Sequence, residues 1–191
     1  MPTDVIAKKL FTVDEFHRME EAGILSGDCR YELIRGEVIE VPRPGSQHAS
    51  RVNRLNRIFN NRLGESAIVS IQNPIVLDCY SAPLPDVALL RPKKDFYYEA
   101  HPEPEDVLLL VEVSDSSLKW DQTVKANLYA ETGIAEYWVL DVRGDALIVH
   151  SDLRNGVYES VSTRRRGETV VLKKLPAFEF AVAEILGEAS L

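Results

Sequence analysis

The run Val107-Leu-Leu-Leu-Val-Glu-Val113 constrains the fold of this chain more than any other stretch. Apolar residues occupy both parities of the run, so a strand made from it has no face left for water. Such a strand is expected in the interior of a sheet that is covered on both sides. Glu112 interrupts it. A carboxylate in that setting is rarely buried without a partner, yet the residues that follow, Ser114-Asp-Ser-Ser117, are small and polar, and the next lysines are Lys119 and Lys125.

The rest of the chain supplies layers for that sheet. Thr12 to Gly23 is expected to form a short helix, with Thr12 as cap, Glu15 as its capping-box partner three residues on, and Gly23 as the stop. Arg30 to Val41 is a hairpin pattern around Arg35-Gly36. Ser46 is placed as the cap of a helix running to about Leu63, on which Val52, Leu55, Phe59 and Leu63 share one face while the arginines lie mostly elsewhere. Strands are expected at 67–72, 74–78, 85–90 and 107–113, a helix from about Trp120 to Thr132, and a buried strand at 136–142. The runs 146–150, 157–161 and 169–172 are expected as hairpin strands that close a single domain spanning residues 1–191. The order implies an α/β architecture, helices flanking a central mixed sheet.

Composition narrows the function classes. With 45% hydrophobic and 27% charged residues the chain has a globular profile. No apolar run approaches the roughly 18 to 20 residues that span a bilayer, and the start, Met1 to Lys9, lacks the apolar core of a secretory signal. A cytoplasmic protein with no membrane partner is expected. Cys29 and Cys79 suit neither a disulfide framework nor a zinc set and are taken as unpaired thiols. The net charge of −8 opposes polyanions in general, but the charge is segregated. Five arginines (Arg43, Arg51, Arg54, Arg57, Arg62) fall between Arg43 and Gly64 with no acid among them. The triplet Arg164-Arg-Arg166 is taken as a solvated hairpin tip.

Two acids interrupt runs that otherwise look like core: Asp86 in Leu84-Pro-Asp-Val-Ala-Leu-Leu90, and Glu112. Either alone could sit at a strand end bonded to a loop. Together on neighbouring strands they are the oxygen ligands that a hard cation such as Mg²⁺, or Mn²⁺, requires. In a regular helix, Leu128 falls about 60° to one side of Lys125 and Tyr129 about 40° to the other, which turns Lys125 inward. The plainer alternatives are a snorkelling lysine or an Asp121–Lys125 pair one turn apart. An inward lysine would complete an acid–acid–lysine set suited to phosphodiester hydrolysis, and Arg51, Arg54 and Arg57 could contact phosphates.

Four blocks of the sequence, 31–37, 85–92, 110–117 and 125–141, resemble the large bacterial family described as putative restriction endonucleases, within the PD-(D/E)XK nuclease superfamily. The resemblance runs from about Thr12 to Leu186 and implies a restriction endonuclease-like fold with a metal-dependent nuclease site. It matches Asp86 and Glu112 to the metal-binding acids. The motif lysine should stand at position 114, which is Ser; Lys125 on the following helix matches its relocated counterpart. Glu32 matches an acid supplied from the first hairpin, and His48 a histidine near the start of the basic helix.

The leading expectation is therefore a Mg²⁺-dependent endonuclease acting on DNA. The alternatives are a nuclease-fold module that binds nucleic acid or a protein partner without cutting, and a protein whose acids only satisfy one another. Cutting both strands would be compatible with a homodimer, although no interface is legible.

Overall fold

Thr12 caps the first helix of the computed structural model, α1 (Val13–Glu21): its hydroxyl accepts from the Glu15 N–H, and the Glu15 carboxylate accepts from the Thr12 N–H. The structure describes residues 7–25 and 29–187, so most of the amino-terminal stretch inspected for a signal lies outside the described residues. Strands β1 (Arg30–Ile34) and β2 (Glu37–Val41) pair antiparallel with Ile34 opposite Glu37. Arg35 and Gly36 both have positive φ, 50° and 77°, the backbone that a two-residue hairpin turn requires. These elements belong to one of two compact units, Met1–Arg43 with Val76–Pro83. Its apolar cluster is Val13, Phe16, Leu33 and Ala82, and the Gly36 and Val13 N–H groups donate to the carbonyls of Tyr80 and Cys79.

The other unit, Pro44–Ile75 with Leu84–Leu191, holds the main sheet. Helix α2 (Ser46–Leu63) is where periodicity places it and buries Val52, Leu55, Ile58, Phe59 and Leu63. Its cap is Gly45, with no side-chain bond, rather than Ser46. Ser46 is already the first helical residue, one position too late for its hydroxyl to reach the exposed N–H groups.

The six-stranded sheet runs β3 (Ile68–Ile71), β4 (Val87–Leu90), β5 (Val107–Ser114), β6 (Tyr137–Asp141), β7 (Ala146–Arg154), β8 (Val157–Arg164), each hydrogen-bonded to the next. Only β5 and β6 pair in parallel, so the sheet is mixed, as expected. All eight residues of β5 are buried, which makes it the doubly covered strand the opening run demanded.

Three further expectations are corrected. Residues 74–78 join no ladder; Gln72 turns the chain with φ 54°, Pro74 has no N–H to give, and only an isolated Asp78–Ser81 bridge forms. The helix after β5 is not uniformly α: a short α3 (Leu118–Trp120) leads into a π turn (Asp121–Lys125), followed by α4 (Ala126–Glu131). Strand β9 (Thr169–Val171) is a hairpin strand, as expected, paired antiparallel with β10 (Glu179–Ala181), which leads into a further helix, α5 (Val182–Leu186). The arginine triplet is not a free tip: Arg166 forks onto both carboxylate oxygens of Asp145 at 2.6 and 2.7 Å and donates to the Gly187 carbonyl. No described helix is long and apolar enough to cross a membrane.

Candidate active site

Antiparallel register sets the first two acids side by side. Val87 pairs with Val111, so Asp86, just before β4, stands opposite Glu112 on β5. Backbone groups lock the arrangement: the Asp86 N–H donates to Glu112 Oε2 at 3.3 Å and the Val113 N–H to Asp86 Oδ2 at 2.9 Å. Both acids are buried.

Each carboxylate has further partners. His48, in the first turn of α2, places Nε2 2.9 Å from Asp86 Oδ2, and the Gln72 amide donates to Oδ1 at 3.0 Å. Glu112 Oε1 accepts from Lys125 Nζ and from the Tyr129 hydroxyl, each at 2.9 Å. That answers the question Glu112 posed: its cationic partner is Lys125, with the ammonium as buried as the acid. Lys119 is exposed.

Burial would push the Asp86 carboxyl up, but the hydrogen bond and charge of His48, with the Val113 N–H and the Gln72 amide, outweigh it and hold the pKa below the ordinary aspartate value. Asp121 goes the other way. Burial raises its pKa despite the Lys125 ammonium and hydrogen bonds from the Ser114 and Ser117 hydroxyls, both 2.6 Å from Oδ2. His48 Nδ1 is buried with no hydrogen-bond partner, so part of the polar lining is unsatisfied by protein.

The structure thus brings Asp86, Glu112, Lys125 and His48 into one hydrogen-bonded cluster. Glu32 is buried on β1, in the other unit. Arg51 and Arg54 lie on α2 with Arg57, which is exposed; Arg51 donates to Gln47 O in its own helix, and Arg54 lies against Gly187. Sequence reasoning had no place for Gln72, whose amide is aimed by its left-handed backbone at the end of β3, and it used Tyr129 only as an apolar landmark. It weighed Asp121 only as an ion-pair partner for Lys125.

The donor set can be tested for a cation. Asp86 and Glu112 offer hard oxygens and no thiol, which suits Mg²⁺, an ion bound through one or two carboxylates that keeps much of its water. Among the described residues no three His, Cys, Asp or Glu side chains form a ready-made cage. An ion here would therefore rely on water and on substrate oxygens for the remaining positions.

Comparison with known proteins agrees with the fold. A crystal structure described as a putative nuclease belonging to DUF820, from Anabaena variabilis ATCC 29413, is similar over 92% of this chain and 97% of that one, with 13% identity and a TM-score of 0.71. At that identity the likeness shows a shared fold. No curated protein matches the chain. The model of the Uma2 family, described as putative restriction endonuclease, matches residues 13–183, and the chain belongs to that family.

Proposed function

We propose that this protein is a Mg²⁺- or Mn²⁺-dependent endonuclease that hydrolyses phosphodiester bonds in DNA. The observation that carries the reading is the buried contact of Lys125 Nζ with Glu112 Oε1 at 2.9 Å, beside an Asp86 whose backbone is bonded to the same glutamate. Nothing about core packing requires a lysine at that point, because a buried ion pair is weak evidence for stability. Phosphoryl transfer does call for a fixed positive charge next to two carboxylates.

Asp86 and Glu112 would hold the cation, which when bound polarises the phosphoryl oxygens and lowers the pKa of a coordinated water. His48 and the Val113 N–H keep Asp86 ionised and fix its orientation. Lys125, whose Nζ donates to Glu112 Oε1, presents positive charge where the five-coordinate phosphate gathers negative charge. Arg51, Arg54 and Arg57 supply contacts to the sugar–phosphate backbone without reading sequence.

The test is incubation of the purified protein with plasmid and short duplexes in Mg²⁺ or Mn²⁺. Cleavage that requires the ion and is lost in Asp86→Ala and Lys125→Ala supports the reading; cleavage that survives both substitutions refutes it. Glu32→Gln in the same assay decides whether the acid expected from the first hairpin takes part.

A second reading, a nuclease-fold module that binds nucleic acid without cutting, has one observation in its favour. Every oxygen of Asp86 and Glu112 already accepts from, or lies within hydrogen-bond distance of, a protein group. Calorimetry separates the two. Mg²⁺ binding that disappears in Asp86→Asn and Glu112→Gln favours catalysis, whereas salt-sensitive DNA binding with no such Mg²⁺ binding favours the module.

A further inference from the structure

Ser114 stands where the nuclease motif would put its lysine, and its side chain is engaged. Ser114 is fully buried at the end of β5, two residues from Glu112 and so on the same face of the strand. Its hydroxyl donates to Asp121 Oδ2 at 2.6 Å, and Ser117, in the turn that follows, donates to the same oxygen at 2.6 Å. Asp121 is 3% exposed and opens the π turn that ends at Lys125. Two adjacent positions on one face of the strand thus hold two residues of the same turn: Ser114 holds Asp121, and Glu112 holds Lys125.

The turn is tethered through its backbone as well. The Asp121 N–H donates to Ser117 O at 3.0 Å, while the Asp121 carbonyl accepts from the Ala126 N–H, which closes the π turn, and from the Tyr137 hydroxyl of β6 at 3.2 Å. A π turn holds one residue more than the α turn it replaces, so it shifts the face on which later side chains emerge, by about 100°. The tethers on Asp121 therefore decide where the Lys125 stem leaves the helix.

We propose that Ser114, Ser117 and Asp121 form a clamp that fixes the π turn and seats the Lys125 ammonium on Glu112, with Asp121 as the positioning residue. The lysine of the strand motif is then replaced by two parts, a cation carried by the helix and a serine that pins that helix to the strand. The catalytic consequence rests on the nuclease reading above; the seating of Nζ does not.

Crystal structures of the wild type, Asp121→Ala, Asp121→Asn and the Ser114→Ala/Ser117→Ala double variant, together with their cleavage kinetics in Mg²⁺, test this. In Asp121→Ala, Nζ is expected to leave Glu112 Oε1, with kcat lowered about 100-fold and KM little changed, as befits a misplaced catalytic group. Asp121→Asn, whose carbonyl oxygen still accepts from the serines, should restore the seat and lose only about 10-fold. A purely structural Asp121 would lower the melting temperature while leaving Nζ in place and kcat intact, and that result overturns the proposal. If Asp121→Ala does not fold, the double serine variant decides: Nζ still seated on Glu112 refutes the clamp, and Nζ displaced supports it. If the wild type cleaves nothing, the nuclease reading has failed, and the position of Nζ in the variants still decides the clamp.

Discussion

Lys125→Met is expected to destabilise the fold by about 3 kcal/mol in metal-free buffer, near the low end of the 3–5 kcal/mol that follows from removing one partner of a buried ion pair. Methionine keeps most of the aliphatic stem, so the loss is chiefly electrostatic. The stranded carboxylate of Glu112 is 5% exposed and loses a charge-assisted bond of 2.9 Å. It retains the Tyr129 hydroxyl and the Asp86 N–H, which is why the lower figure applies. At about 2–4 °C per kcal/mol for a chain of this size, the melting temperature should fall by about 6–12 °C. Circular dichroism melts in EDTA at pH 7 measure it, and Glu112→Gln with the double variant closes the cycle. Neutralising Glu112 removes the reason for most of the loss, so the double variant should be more stable than the sum of the single effects implies, by about 0.5–3 kcal/mol. A shift below about 2 °C, or strict additivity, would refute the claim that these two charges hold each other.

Three other outcomes follow from the structure. His150 is buried between the rings of Tyr137 and Tyr158 with Nε2 unpartnered, and burial lowers its pKa below 6.5; the unfolded chain therefore takes up a proton first, and stability, full above pH 6.5, falls as the pH drops from there toward the folded pKa. His150→Phe should flatten that slope in urea titrations between pH 7 and 5 and should not destabilise the protein at pH 7, because it removes an unsatisfied buried nitrogen. Gly36→Ala meets both a φ of 77° and a contact of 2.6 Å with Leu10 Cβ, so it should cost at least about 1 kcal/mol by chemical denaturation. In binding titrations with duplex DNA in Ca²⁺, Arg54→Ala and Arg57→Ala should each reduce the slope of log K against log salt by about 1, uniformly across sequences.

The architecture was legible because hydrophobic pattern reports burial directly. Val107–Val113 had to be an interior strand, and the helical stripe of Val52, Leu55, Phe59 and Leu63 had to face a sheet. Local chemistry settled the capping box at Thr12 and the left-handed pair Arg35-Gly36 in the same way, since each depends on neighbours within a few residues. Secondary structure failed where context decides. Residues 74–78 have strand composition but no partner strand, and the helix after β5 carries a π turn where regular α periodicity was expected.

For the site, the sequence by itself determined the residue types: two acids out of place in apolar runs and a lysine between large apolar neighbours on a helix. Their meeting was decided by tertiary structure. Strand register put Asp86 opposite Glu112, and a π turn that periodicity cannot announce carried Lys125 onto the same glutamate. Gln72, Tyr129 and Asp121 join the cluster through bonds to residues between 4 and 17 positions away. The physical reason is the same in each case. Burial of a side chain follows from periodicity along the chain, whereas the direction of a hydrogen bond depends on where a second segment happens to lie.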